Sequence, residues 1–135
     1  MSNEITVYDA SSFNVPTGPA CTIDITTDAG AIAVTNALSA SEPLSEHVDE
    51  EIVVTDIIMV PAKRAVSEEP CMNTHLVLVD GTCYFSQSDG VCSAARNIIG
   101  AFGDKMHRGL RIVCFEQKLR NGNTMKSLRV LGFAD

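Results

Sequence analysis

Apolar residues between Ser88 and Gly103 recur at helical spacing. Val91, Ala94, Ala95, Ile98, Ile99 and Phe102 form one face, and Ser93, Arg96 and Asn97 fall off it. Ser88 or Asp89 can cap the first amides, and Gly103 provides the left-handed residue that ends many helices. The pattern predicts a helix marked at both ends. A weaker helical pattern runs from a cap at Thr27 or Asp28 to about Ala40, with Ile32, Ala33, Ala37 and Leu38 as its apolar face and Pro43 as its stop. The remaining apolar stretches read as strands. Glu51 to Val60 is nearly continuous in Ile and Val, which predicts burial on both faces, and Pro61 halts it. Thr74 to Val79 and Thr82 to Ser86 flank Asp80-Gly81, while Leu110 to Leu119 and Thr124 to Leu131 flank Asn121-Gly122; both dipeptides favour tight hairpins. Cys21 to Thr26 alternates weakly and predicts one short further strand, and the polar stretch Ala62 to Asn73, with Pro70, reads as a long connection.

The order is strand, strand, strand, helix, strand, strand. In a chain of 135 residues this is the order of an OB-fold, mostly β with helices (α+β): a five-stranded Greek-key barrel with a helix between the third and fourth strands, here with an added N-terminal helix. The turn chemistry excludes an all-α protein, and a doubly wound α/β fold would need more helices between strands. A small α+β sheet with the same elements paired otherwise is the structural alternative. Pro16, Gly18 and Pro19 interrupt regular structure, so residues 1–20 are expected as a flexible or loosely docked arm and residues 21–135 as a single domain.

A hydrophobic content of 45% is enough to bury a core. No apolar run approaches the roughly 20 residues of a bilayer span. The start Met1-Ser2-Asn3-Glu4 lacks the basic and apolar regions of a signal peptide, so a cytoplasmic protein is expected. The five cysteines, Cys21, Cys71, Cys83, Cys92 and Cys114, include no Cys-x-x-Cys pair, and His47, His75 and His107 stand alone. Buried free thiols are the expectation, with no metal or other cofactor, and no catalytic motif is visible.

The net charge of −7 argues at first against nucleic acid. Its distribution reverses that impression. Residues 1–60 hold ten acids and no Lys or Arg, and all ten basic residues follow Pro61, giving −10 and then +3. Two differently charged surfaces follow from this segregation.

OB-folds bind oligonucleotides across their second and third strands, between the loop joining strands one and two and the loop joining strands four and five. On that plan Lys63 and Arg64 lie in the first loop, Lys118 and Arg120 in the second, and Lys126 on the returning strand. Tyr84 and Phe85 lie on the third strand and Phe115 on the fourth, while Arg111 and Arg129 complete the candidate set. Cations that track phosphates beside aromatic faces that stack bases are what sequence-independent single-strand binding requires. Alternation allows only one of Tyr84 and Phe85 to face outward, and the hydroxyl favours Tyr84. Across a two-residue Asn121-Gly122 turn, Phe115 would share a face with Lys126 and Leu128, and Cys114 with Arg129. Either face can be core, with Phe115 favoured as a core residue over a stacking platform.

Asp80-Gly81-Thr82-Cys83-Tyr84, then Ser88-Asp89-Gly90-Val91 and Ile98-Ile99-Gly100-Ala101-Phe102-Gly103, resemble in order and spacing the small single-stranded DNA-binding proteins of bacteriophages and conjugative or other mobile elements. Asn36-Ala37-Leu38-Ser39, the Glu51 to Val60 strand and the basic Leu119 to Met125 hairpin extend the similarity over roughly residues 30 to 131. The resemblance implies an OB-fold that coats single-stranded DNA during replication or transfer, without catalysis, in the bacterial host cytoplasm. It implies base contact by Tyr84 and phosphate contact by the basic residues of Leu119 to Met125. RNA is a second candidate ligand, and the acidic N-terminal part a candidate surface for replication or host proteins. The rival reading is an acidic interaction module, such as a DNA-mimic inhibitor, built on the ten acids of residues 1–60.

Overall fold

The computed structural model describes residues 16–135. Most of the expected N-terminal arm, residues 1–15, lies outside the described residues. The part that is described is docked: the Arg96 guanidinium donates to the Pro16 and Gly18 carbonyls, each at 2.9 Å. Among the described residues the protein is a mixed α+β structure, mostly strands in one curled sheet, with two helices.

The first strand, β1 (Ala20–Cys21), is shorter than expected, because the chain turns at once: the Asp24 carboxylate accepts from the Thr26 amide and hydroxyl at 2.9 and 2.6 Å. Helix α1 (Asp28–Ser39) follows, capped by Thr27, whose side chain accepts from the Gly30 amide. Its sheet-facing residues are Gly30, Val34 and Ala37, whereas Ile32 is 60% exposed, which corrects the apolar face read from the sequence. Gly30 decides the rotation, since a side chain there would collide with the Asp24 carbonyl.

The acidic stretch after α1 holds β2 (Glu42–Pro43) and a 3-10 turn (Leu44–His47) in which Leu44 is fully buried. The long strand β3 (Glu51–Lys63) continues beyond Pro61. Past Met59 it has a neighbour on only one side, an edge position where proline's missing N–H costs no ladder bond. Strand β4 (Pro70–Leu78) starts four residues earlier than expected, and β5 (Cys83–Ser86) leads into α2 (Asp89–Phe102), whose Ser88 cap and buried Val91, Ala95 and Ile98 match the predicted helix. A 3-10 segment (Gly103–Arg108) and the hairpin of β6 (Leu110–Lys118) and β7 (Thr124–Phe133) complete the chain.

The strands form one sheet in the order β2-β5-β4-β3-β6-β7, with β1 against β3. All neighbours are antiparallel except β2 and β5, which run parallel. Within the sheet β3 pairs with β6 through residues 51–54 and with β4 through residues 54–63, the register slipping between Val54 and Asp56. The concave side buries Ile57, Met59, Leu76, Ile112, Cys114 and Leu128 with Val91 and Ile98 of α2. The convex side carries a smaller cluster in which Ala37 and Val34 of α1 cover Ile58, Val77 and Cys83. Gly90 rests against the Lys126 carbonyl, so α2 lies along β7.

Leu44 anchors the acidic segment beside β5. Leu44→Ala should destabilise the protein by about 2–5 kcal/mol in urea unfolding. A loss below about 0.5 kcal/mol, as for an exposed loop residue, would contradict that anchoring.

Candidate nucleic-acid interface

Both long hairpins close with three-residue loops. Leu78 and Thr82 bracket Val79-Asp80-Gly81, with the Leu78 amide donating to the Thr82 carbonyl at 2.8 Å and Gly81 at φ 91°. Leu119 and Asn123 bracket Arg120-Asn121-Gly122, with the Leu119 amide donating to the Asn123 carbonyl at 2.7 Å and Gly122 at φ 88°. This is the hairpin in which a turn is followed by one left-handed residue, for which glycine is suited. The loops are one residue longer than Asp-Gly and Asn-Gly alone would make them, and the pairing moves by one residue with them.

The consequence is an exchange of faces on both hairpins. Tyr84 pairs with Leu76 and turns to the concave core, where its ring stacks on His47 at 3.9 Å and 11°. Phe85 pairs with His75 on the convex side and remains half-buried. The expectation of Tyr84 outward and Phe85 inward is therefore reversed. Similarly, Phe115 pairs with Ser127 and Glu116 with Lys126, which places Cys114 in the core and Phe115 on the convex side. There the Arg129 guanidinium lies 4.9 Å from the Phe115 ring centroid. Core placement of Phe115 is corrected for the same reason.

Phe85 and Lys126 come together across the seam between β5 and β7. They line one open cavity of about 290 Å³ with Pro43, Ser45, Gln87 and Ser88. Arg64 reaches the same neighbourhood, donating to the Gln87 carbonyl at 3.4 Å and pairing with Asp89 at 3.0 Å. The Gln87 side chain donates to Asn73 Oδ1 at 2.9 Å. Sequence reasoning missed Asn73 and Gln87, one read as part of a connection and the other beyond a strand end; alternation along β4 and β5 finds both once the register is known.

The other candidate cations divide by their partners. Lys126 lies 3.5 Å from Glu116, and Arg111 makes a two-point pair with Glu51 at 2.9 and 3.3 Å. Lys63, Lys118 and Arg120 are exposed at the ends of the hairpins and form no ion pair among the described residues. Near Tyr84 the field is negative: loss of solvation, then the charges of Glu42, Glu50 and Asp80, push its hydroxyl pKa up.

Under the Phe85 side lies His75, buried, its ring 5.9 Å from that of Phe85. The Ser41 hydroxyl sits 2.7 Å from both the Ala37 carbonyl and His75 Nδ1. The Cys83 sulfur is a third partner at 3.0 Å; a carbonyl only accepts, so with the single Ser41 proton on Ala37 the hydroxyl oxygen accepts from a protonated His75 Nδ1 and from the Cys83 thiol. Burial pushes the His75 pKa down and the neighbouring Cys83 thiol pKa up. No group of three or more His, Cys, Asp or Glu residues is placed to hold an ion among the described residues.

A curled sheet with a half-exposed aromatic, neighbouring amides and flanking cations suits a class of protein that takes extended, anionic, base-bearing chains. The family comparison agrees. Residues 19–131 match the family model described as phage single-stranded DNA-binding protein, and the chain belongs to that family. No curated protein and no solved structure matches it significantly. No helix among the described residues is long and apolar enough to cross a membrane.

The buried imidazole gives a pH signature. An unfolded histidine takes up a proton below about pH 6.5, which folded His75 resists, so stability should fall as pH drops through that value. Glu51, held low by the hydrogen bond from Arg111, and Asp135, held low by that from Arg108, should lose their contributions only near and below the carboxylate range, about pH 4. Urea unfolding of His75→Gln should lack the first component and keep the second. Identical profiles for the two proteins between about pH 7 and 5 would contradict this assignment.

Proposed function

We propose that the protein coats single-stranded DNA during phage or mobile-element replication or transfer, largely independently of sequence. The five longer strands act in this reading as an OB-like barrel, with β4 and β5 as the binding strands and the loops at Arg64–Glu69 and Leu119–Asn123 as its walls. The observation that carries it is Phe85, half-exposed between Lys126 and the Arg64–Gln87 group. One base stacks on Phe85, gaining about 1–3 kcal/mol. The Asn73 and Gln87 amides offer donors and acceptors that any base edge can use. Lys126, Arg64, Lys63, Lys118 and Arg120 draw the phosphates along the groove.

This is binding without a chemical step, so the protein acts as a non-enzyme in the host cytoplasm. The acidic segment serves as a wall of the site, held by Leu44 and by the Asp49 amide on the Cys114 carbonyl at 2.7 Å.

Fluorescence anisotropy with an oligo-dT of about 15 nucleotides should show binding that weakens steeply with salt, log K falling by about 0.7 per phosphate contact for each tenfold rise in salt. Phe85→Ala should cost roughly five- to 150-fold in affinity at unchanged fold. Duplex DNA should bind more weakly, and oligo-rU measures tolerance of RNA. No binding of oligo-dT at low salt, or full affinity in Phe85→Ala, would overturn the reading.

A further inference from the structure

We infer a second base-stacking platform on Phe115 and Arg129, reached by the same strand of DNA after it crosses β7. The inference rests on the single-stranded DNA reading above and extends its path. Phe115 belongs to neither buried cluster, and Arg129 has no carboxylate partner among the described residues. Its guanidinium lies 4.9 Å from the ring centroid, so the pair offers an aromatic face and a cation at one place. Val113, Phe115, Gln117, Met125, Ser127 and Arg129 share this convex side of β6 and β7 and include one cation and no acid. Glu51, a carboxylate on the same side, is taken up by Arg111. Such a surface complements phosphate in charge and bases in shape.

The surface is also continuous with the first site. Ser88 and Lys126 line the Phe85 cavity. Directly beyond them Asp89, Gly90, Met125 and Ser127 line a second open groove of about 470 Å³ between α2 and β7. Ser127 is the register partner of Phe115. A strand leaving Phe85 past Lys126 meets Ser127 and then Phe115. Asp89, the acid in this groove, is already paired with Arg64 at 3.0 Å, which lowers the electrostatic barrier to the crossing.

The test compares oligo-dT of about 5 and about 15 nucleotides, within the span of site sizes for folds of this kind. The short oligomer should depend on Phe85 and be indifferent to Phe115→Ala and Arg129→Gln. The long one should weaken roughly five- to 150-fold in Phe115→Ala, less in Arg129→Gln, and recover in Phe115→Trp. Phe115→Leu keeps an apolar cover beneath Arg129 and should still lose the length-dependent part, which separates stacking from folding. Equal weakening at both lengths, no weakening at the longer one, or a changed oligomeric state in Phe115→Ala with DNA affinity intact would each overturn the second platform. If Phe85-dependent binding of the short oligomer persists in those cases, the first site stands. Failure of the wild-type protein to bind either oligomer would overturn both.

Discussion

Strand β3 has to serve two sheet halves at once, and the rest of the structure follows from how it does so. Its first residues pair with β6 and its later ones with β4, and at the slip between Val54 and Asp56 it leaves one partner and continues with the other. An irregularity of this kind bends a strand and increases its twist. The sheet therefore curls, bringing β5 and β7, which lie at distant places in its order, to the two sides of one seam. Asp56, at the slip, accepts from Thr22 at 2.7 Å and lies 3.2 Å from His107, so the segments on both sides of the bend are tied to it.

The seam is where sequence-distant residues become neighbours. Helix α2 lies along it, its Gly90 against the Lys126 carbonyl, and a larger residue at that point would lift the helix from β7. With α2 seated, Phe85 and Lys126 share a cavity while Tyr84 is drawn inward onto His47. Glu42, Glu50 and Asp80 gather around Tyr84, while Arg129 lies beside Phe115 on the opposite, convex face.

The sequence made α2, the long strands, the hairpin positions and the segregation of charge legible, because each is written in local periodicity or turn chemistry. Loop length was less legible. Asp-Gly and Asn-Gly announce a reversal, yet the flanking Val79 and Arg120 are equally able to sit in the loop or in the strand. Only the packing of Leu76, Leu78, Cys114 and Leu128 into one core selects the three-residue loops. That single residue on each hairpin exchanged Tyr84 with Phe85 and brought Phe115 to the surface. The face of α1 was hidden for a different reason: its weak amphipathicity left the choice to the contact of Gly30 with the Asp24 carbonyl. Leu44 was hidden among the acids that surround it.

In the proposed path, single-stranded DNA runs along the convex side at Phe85 and across the seam to β7. Amide hydrogen exchange with and without oligo-dT tests this most directly. Protection is predicted in β5 at Phe85 and Ser86, in the Arg64–Glu69 and Leu119–Asn123 loops, and in Lys126 and Ser127 of β7, with α1 unchanged. Protection confined to α1 and the acidic Glu42–Glu50 segment, with none along β5 and β7, would contradict it.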